Sequence, residues 1–396
     1  MQAWSTQADI RSQLQKKWDS GQILAAFIHG DTLFPMRIPL RHPTARAIGS
    51  QFDEVRLWIA SLAGACKTET GSGFGLEWRE TSHRQLGKNR LPVAAMIESE
   101  ADALSIIGKQ KQADQFKIIV DSVITSFAEL APWLQKRPLK ALKHTRDWPY
   151  LLSVLQWITR HPRPGIYIRQ IDLPGVHSKF IESHKSLLIE LLDIILPDDA
   201  IDFAATGARG FEQRYGFLSK PVQVRLRLLD PNMSLQGLTD ITVPAPELAR
   251  LQLPVTSIFI TENDINGLAF PAIEKCMVIF GLGYGLQVLK QIDWLNHAAI
   301  YYWGDIDTHG FAMLDQLRQY FPHTESLLMD EETLLAHRPL WGVENKPTSR
   351  DLDNLQSQEQ DLYQNIISDS YSKNLRLEQE RIGFSYLEAA LTDFHS

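Results

Sequence analysis

Three carboxylates stand where short apolar runs stop. Thr256-Ser-Ile-Phe-Ile-Thr runs into Glu262 and Asn263, and Ile300-Tyr-Tyr-Trp-Gly runs into Asp305-Ile-Asp307. Between them Met277-Val-Ile-Phe stops at Gly281-Leu-Gly283-Tyr-Gly285. Runs of β-branched and aromatic residues bounded by Gly or an acid are the pattern of strands buried in a parallel sheet. The stretches between are long enough for crossover helices, so residues 256–318 read as β-α-β-α-β-α. In such sheets the reactive groups lie at the carboxyl ends of the strands. Asp305 and Asp307 are two apart, and alternate strand residues face one way, so both can point at one spot. Crowded carboxylates repel unless a cation sits among them, and hard oxygen ligands suit Mg²⁺ or Mn²⁺. An Asp-x-Asp carries little by itself, because loop and cap aspartates share its form. The second acidic strand end at Glu262 and the glycine turn at 281–285 make the metal reading the stronger one.

The same strings carry a resemblance. A Glu ending the first strand, a Gly after the second and Asp-x-Asp ending the third is similar to the pattern of Toprim domains. Those occur in topoisomerases, primases and several nucleases. The fuller strings Phe259-Ile-Thr-Glu-Asn263, Phe280-Gly-Leu-Gly-Tyr-Gly285, Tyr302-Trp-Gly-Asp-Ile-Asp-Thr-His-Gly-Phe311 and Ser326-Leu-Leu-Met-Asp330 resemble the JetD family. JetD proteins are the nuclease subunits of Wadjet anti-plasmid systems and resemble the topoisomerase VI A subunit. Ser178-Lys179-Phe180-Ile181-Glu182-Ser-His184 matches wording from the family's N-terminal half. The resemblance is strong from Gly165 to Asp330 and thin before Asp147.

It implies an α/β Toprim domain over 249–396, a winged-helix (CAP-like) DNA-binding module over 133–248, and an α+β arm domain over 1–132. It implies a metal-dependent DNA endonuclease. Asp305 and Asp307 would bind Mg²⁺ or Mn²⁺, and Glu262 would be a third ligand or the base that handles protons. It further implies a homodimer that cuts both strands of double-stranded plasmid DNA, delivered by an SMC-type loop-extruding ATPase complex.

Composition sets the outer bounds. A chain of 396 residues with 44% hydrophobic and 22% charged residues has room for two or three globular domains. No apolar run approaches membrane-spanning length, and Met1-Gln-Ala-Trp-Ser-Thr lacks a signal pattern. The two cysteines, Cys66 and Cys276, have no metal spacing and suggest a reducing, cytoplasmic setting. The formal net charge of −7 argues against indiscriminate DNA binding by the whole surface. The distribution says more. Lys136, Arg137, Lys140, Lys143, Arg146, Arg160, Arg163 and Arg169 face one acid, Asp147, whereas 325–361 carries nine acids against three bases. A basic middle and acidic tail suit nucleic acid held in one place, with Arg137, Lys140, Lys143, Arg163, Arg169 and Lys179 as candidate contacts.

Taken in order, Ile10, Leu14 and Trp18 mark a first helix capped by Ser5 or Thr6. The 74–81 segment alternates like a strand and pairs with 90–96. A helix from Leu151, a strand at 165–171 and a helix from Lys179 to Ile195 fit a winged-helix module. Arg225 and Arg227 share one face of a strand and line either a groove or a plain polar surface. Residues 239–254 read as a Pro-rich linker and helix. Ser326 to Asp330 suggests a fourth strand, with Asp330 better read as the cap of the next helix than as a metal ligand. Residues 376–382 read as an amphipathic surface helix, although Glu378 or Glu380 could complete a second metal site. His309 reads as a structural hydrogen-bonder rather than a phosphate contact. No Gly-x-x-x-x-Gly-Lys string is present, so the chain carries no sign of an ATPase of its own.

Two other functions fit parts of this pattern. A topoisomerase-like transesterase needs a tyrosine nucleophile, and Tyr150 and Tyr167 lie in the right region without a distinctive setting. A DNA-binding subunit with a decayed site is disfavoured by the complete acidic set. A phosphatase nucleophile at Asp305 is disfavoured too, because the aspartate pair follows the third strand rather than the first.

Overall fold

The computed structural model describes residues 4–30, 33–83 and 87–392. Two compact units, Met1–Ser219 and Lys220–Ser396, each enclose a separate apolar core. Among the described residues no helix is long and apolar enough to cross a membrane.

The first unit opens with the helix Gln7–Asp19. Thr6 caps it and Asp9 reciprocates, satisfying backbone donors that the first turn leaves free. Its Ile10, Leu14 and Trp18 are buried, as their four-residue spacing predicts. Strands β1 (Met36–Pro39), β2 (Gly75–His83) and β3 (Gly87–Ile97) form an antiparallel sheet in the order β1-β3-β2. The expected pairing holds: Leu76 faces Ala95 and Arg79 faces Leu91. Further helices complete the unit, among them Pro138–Lys143, Trp148–Arg160 and Ser178–Ile195. The last buries Ile181, Leu187, Leu188, Leu191 and Leu192, the i, i+3, i+4 stripe of a helix on a core.

The strand expected at 165–171 does not form. Gly165 is left-handed, and a 3-10 turn occupies Ile168–Gln170. Ile168 and Ile171 are the buried residues, a spacing of three that suits a turn rather than alternation. Only two backbone bonds tie the segment to 216–218, from Gly165 N to Gly216 O and from Leu218 N to Ile166 O. Among the described residues no strand lies between β3 and the second unit.

The second unit is a mixed α/β unit around a six-stranded, mostly parallel sheet. Its strands are β4 (Gln223–Leu228), β5 (Asp240–Pro244), β6 (Ser257–Thr261), β7 (Cys276–Phe280), β8 (Ala299–Trp303) and β9 (Glu325–Ser326), in the order β5-β4-β7-β6-β8-β9. The β7-β6-β8-β9 part is parallel, and β4 and β5 extend it antiparallel. Strands β4 and β5 thus belong to this sheet, and the stretch 133–248 is shared between the two units. The span 240–244 expected as linker is β5 itself. Every residue of β7 is buried, which explains its unbroken apolar run. Gly267 on the helix Asp264–Ala269 lets that helix touch the sheet, since a Cβ there would lie 2.3 Å from the Phe280 ring. The chain leaves β6 for β7 on one side and then crosses to β8 on the other. The switch of direction therefore falls between the ends of β6 and β8.

Two expectations after β8 are revised. The fourth strand is only two residues long, because Leu328 has φ +55° and cannot continue an extended run. Residues 376–382 are not an α-helix. Leu375–Arg376 form β11, paired with β10 (Gly342–Val343), and Leu377 bridges to Ile306. Leu375 and Leu377 are both fully buried, so the segment follows the two-residue period of a strand.

Candidate metal centre at the ends of β6 and β8

Glu262 follows the last residue of β6, and Asp305 and Asp307 follow β8. Their backbones are held by unlike means. Asp307 is the N-cap of the helix Thr308–Tyr320, and its Oδ1 accepts from the amides of His309 (3.0 Å) and Gly310 (2.8 Å). Gly310 is required there, because a Cβ would lie 2.0 Å from the Asp305 carbonyl oxygen. Gly304 is required for the same reason. A Cβ would sit 2.7 Å from both Glu262 Oε1 and the Tyr302 hydroxyl. Asn263 caps the helix Asp264–Ala269 through bonds from the amides of Ile265 and Asn266.

The electrostatics follow from burial. Burial raises the Glu262 carboxyl to about 7, against a hydroxyl bond from Tyr302, and the charges of Asp305 and Asp307 add to the rise. Burial raises Asp307 to about 6, against the Gly310 amide, with Glu344 and Asp305 adding. The fully buried Tyr302 hydroxyl is pushed well above its usual range by burial and by Glu262. These are carboxyls that lack enough positive charge.

Part of that charge comes from Arg376, which sequence reasoning missed. Its Nε lies 3.1 Å from Asp305 Oδ2 and 3.2 Å from Asp307 Oδ2. Burial works against the guanidinium's charge, but Asp305 and Asp307 hold it more firmly protonated than usual. Gln379 was missed too. Its amide N–H donates to Asp305 Oδ1 (2.8 Å), its side-chain oxygen accepts from Thr261 Oγ1 (2.8 Å) and the Asn263 amide (3.3 Å), and its Nε2 donates to the Trp303 carbonyl (2.7 Å). One buried amide thus ties the ends of β6 and β8 together. The available signal was the alternation Leu375-Arg376-Leu377-Glu378-Gln379, which fits a strand as well as an amphipathic helix.

Glu378 and Glu380 are not on a surface helix. They line a cavity of about 190 Å³ with Glu262, Asn263, Asp305 and Arg376. Glu378 pairs with Arg381 at 2.9 Å, and Glu380 accepts from the Asn263 side chain. Asp330 caps its helix through the Thr333 amide (2.7 Å). His309 Nε2 lies 2.9 Å from the Lys346 carbonyl and 3.5 Å from Glu344 Oε1. Glu344, buried, also accepts from the Thr308 hydroxyl at 2.8 Å.

The donor set fits a hard divalent cation: Glu262, Asp305, Glu378 and Glu380 line a small polar cavity, Asp307 stands beside Asp305 against Arg376, and the carboxyls of Glu262 and Asp307 are raised. The oxygens of Glu262, Asp305 and Asp307 do not close into one shell, and Arg376 bridges the two aspartates. Among the described residues only His144, Asp147 and His184 bring three potential ligand atoms within 4.8 Å of one another.

The candidate DNA contacts all lie in the first unit. Arg137 and Lys140 are paired with Glu190, at 3.2 and 2.7 Å. Burial opposes its charge, but Lys140, Trp133 and Arg137 hold the Glu190 carboxyl below its ordinary range. Lys143, Arg163, Arg169 and Lys179 are exposed. Arg163 is left-handed (φ +49°) and backs onto Gly216, where a Cβ would lie 2.6 Å from its Cα. In the second unit Arg225 pairs with Asp240 at 2.7 Å and Arg227 donates to the Phe270 carbonyl at 2.9 Å, so both serve the sheet. Tyr150 packs edge-on against Phe180 and close over Gly175. Tyr167 is exposed in the 165–171 turn region.

Comparison with known families gives two matches. Residues 216–391 match the family described as Wadjet protein JetD, C-terminal. Residues 7–193 match a family described only as an uncharacterized N-terminal region conserved in bacteria. No curated protein matches the chain.

Proposed function

The chain belongs to the JetD family of Wadjet proteins, and on that premise we propose that it is a metal-dependent endonuclease that hydrolyses DNA phosphodiesters. The observation that carries this reading is the gathering of Glu262, Asp305 and Asp307 at the β6/β8 switch point. The carboxyls of Glu262 and Asp307 stand near 7 and 6 there because burial leaves their charge poorly compensated. In this reading the second unit is a Toprim domain, and the first unit holds double-stranded DNA on its exposed bases.

Asp305 and Asp307 would hold Mg²⁺ or Mn²⁺, with Glu378 and Glu380 on the rim of the cavity that Asp305 lines. A bound divalent ion supplies polarisation of the phosphoryl oxygen and charge stabilisation at the leaving oxygen. The residues supply the rest. Glu262, with a carboxyl that titrates near neutrality, takes a proton from the attacking water. The Tyr302 hydroxyl fixes which oxygen is free to do so. Arg376 neutralises the aspartates until a metal ion and a phosphate share that work.

Wadjet membership carries the wider setting. The nuclease acts with an SMC-type complex that supplies the ATPase activity, and a homodimer places one site on each strand.

The purified chain is incubated with circular and linear plasmid and Mg²⁺ or Mn²⁺, with and without the SMC-type complex. Asp305→Asn and Asp307→Asn should abolish cutting with the fold intact, since Asn keeps the cap at 307. Glu262→Gln should slow it by about 10²–10⁴-fold, the range for a lost general base. Cutting at the wild-type rate in either Asp variant would remove the metal assignment. A covalent protein–DNA adduct trapped in detergent, and lost in Tyr150→Phe or Tyr167→Phe, would replace hydrolysis with transesterification.

A further inference from the structure

We propose that His144, Asp147 and His184 form a second metal site in the first unit, of the class that binds Zn²⁺ or a similar transition-metal ion. The three come from different elements. His144 ends the helix Pro138–Lys143, Asp147 stands at the start of Trp148–Arg160, and His184 lies two turns into Ser178–Ile195. Asp147 Oδ2 lies 3.1 Å from His144 Nδ1 and 3.3 Å from His184 Nε2. With metal–ligand bonds of about 2.0–2.2 Å, tetrahedral ligands stand about 3.3–3.6 Å apart. The two contacts are close to the edges of such a shell before an ion enters it.

Two features distinguish this trio from incidental neighbours. Asp147 occupies a helix N-cap position yet makes no capping bond, so its carboxylate is turned to the imidazoles instead. His184 Nδ1 lies 2.8 Å from the Phe180 carbonyl, which can only accept. That bond places the ring proton on Nδ1 and leaves the lone pair of Nε2 facing Asp147. A lone pair facing a carboxylate oxygen is repulsive unless a proton or a cation lies between. A histidine whose far nitrogen is held by a backbone carbonyl is the usual second-layer support of a metal ligand. Two imidazoles and one carboxylate select Zn²⁺-like ions over Mg²⁺, which prefers oxygen donors. Water would complete the shell. The ion would join the turn at 144–147 to the Ser178–Ile195 helix, beside the bases Lys143 and Arg146.

The test uses the full chain, stripped with chelator and dialysed, then titrated calorimetrically with Zn²⁺ and spectroscopically with Co²⁺. One Zn²⁺ per chain is expected to survive millimolar Mg²⁺ and the Asp305→Ala, Asp307→Ala double substitution. Its affinity should fall by about tenfold or more in His184→Ala and in His144→Ala. Co²⁺ should give visible ligand-field bands that both His variants lose. If His184→Ala does not fold, His144→Gln, at the more exposed ligand, decides alone. No binding by the wild type, or binding that both His variants keep, would leave the trio as a metal-free hydrogen-bonded cluster and overturn the proposal.

Discussion

Glu262 shows how a single residue sets the chemistry of the centre. Its carboxyl is raised from 4.5 to about 7, chiefly by burial. A raised acid favours the folded state while it is protonated. Its contribution is fully present below about pH 4.5 and is lost as pH rises through about 7. The metal-free chain should therefore lose stability over that window, by about 3 kcal/mol if the whole shift is expressed. Asp307, raised from 3.8 to about 6, adds a slope of the same sign at lower pH. Glu262→Gln, which cannot ionise, should gain on the wild type as pH rises from 5 to 8. Urea midpoints at several pH values, without and then with Mg²⁺, read this directly. A pH-independent difference would mean that Glu262 is solvated. Glu262, Asp305 and Asp307 were legible because strands end at them. Tyr302 and Glu344 were not, since nothing in a linear sequence marks a buried hydroxyl or carboxylate as the partner of a residue 36–40 positions away.

At the scale of elements, the parallel strands were legible from their apolar runs and the antiparallel β5 was not. Asp240–Pro244 alternates weakly, with no residue fully buried, and Pro244, Pro246 and Pro254 made the surrounding stretch read as linker. The segment 376–382 was misread for a different reason. A four-residue run of alternating Leu and charge, Leu375 to Glu378, satisfies a helix or a strand, and only its pairing with β10 and Ile306 decides. That pairing brings Arg376 and Gln379 to the carboxylates. Gln379 is 1% exposed and its side chain makes three hydrogen bonds to the ends of β6 and β8. Gln379→Met keeps the volume and leaves the Asn263 amide and the Trp303 carbonyl without their partner. Unsatisfied buried groups cost about 1–3 kcal/mol each. The variant should lose roughly that much stability in urea and cut more slowly at saturating DNA. Wild-type turnover would make the segment a mere cover over the site.

For the molecule as a whole, the proposed binding of DNA must be reconciled with a net charge of −7. Non-specific affinity comes from phosphate contacts that release counterions, so it depends on where free bases lie and not on the sum. The basic middle of the sequence divides into two kinds of residue. Arg137 and Lys140 share Glu190, a partly buried acid that they hold ionised. Their work is within the first unit. Lys143, Arg169 and Lys179 are exposed and are the stronger DNA candidates. Replacing these three with Glu should weaken binding and lower the slope of log K against log salt by roughly one unit per lost contact. Lys140→Met should act in the opposite sense. It leaves Glu190 short of its closest cation, so it should lower the urea midpoint while moving the salt slope by less than one such unit. Titrations of a short duplex at several salt concentrations, beside urea curves for the same proteins, separate the two. An unchanged slope in the triple variant would put the DNA on some other face of the chain.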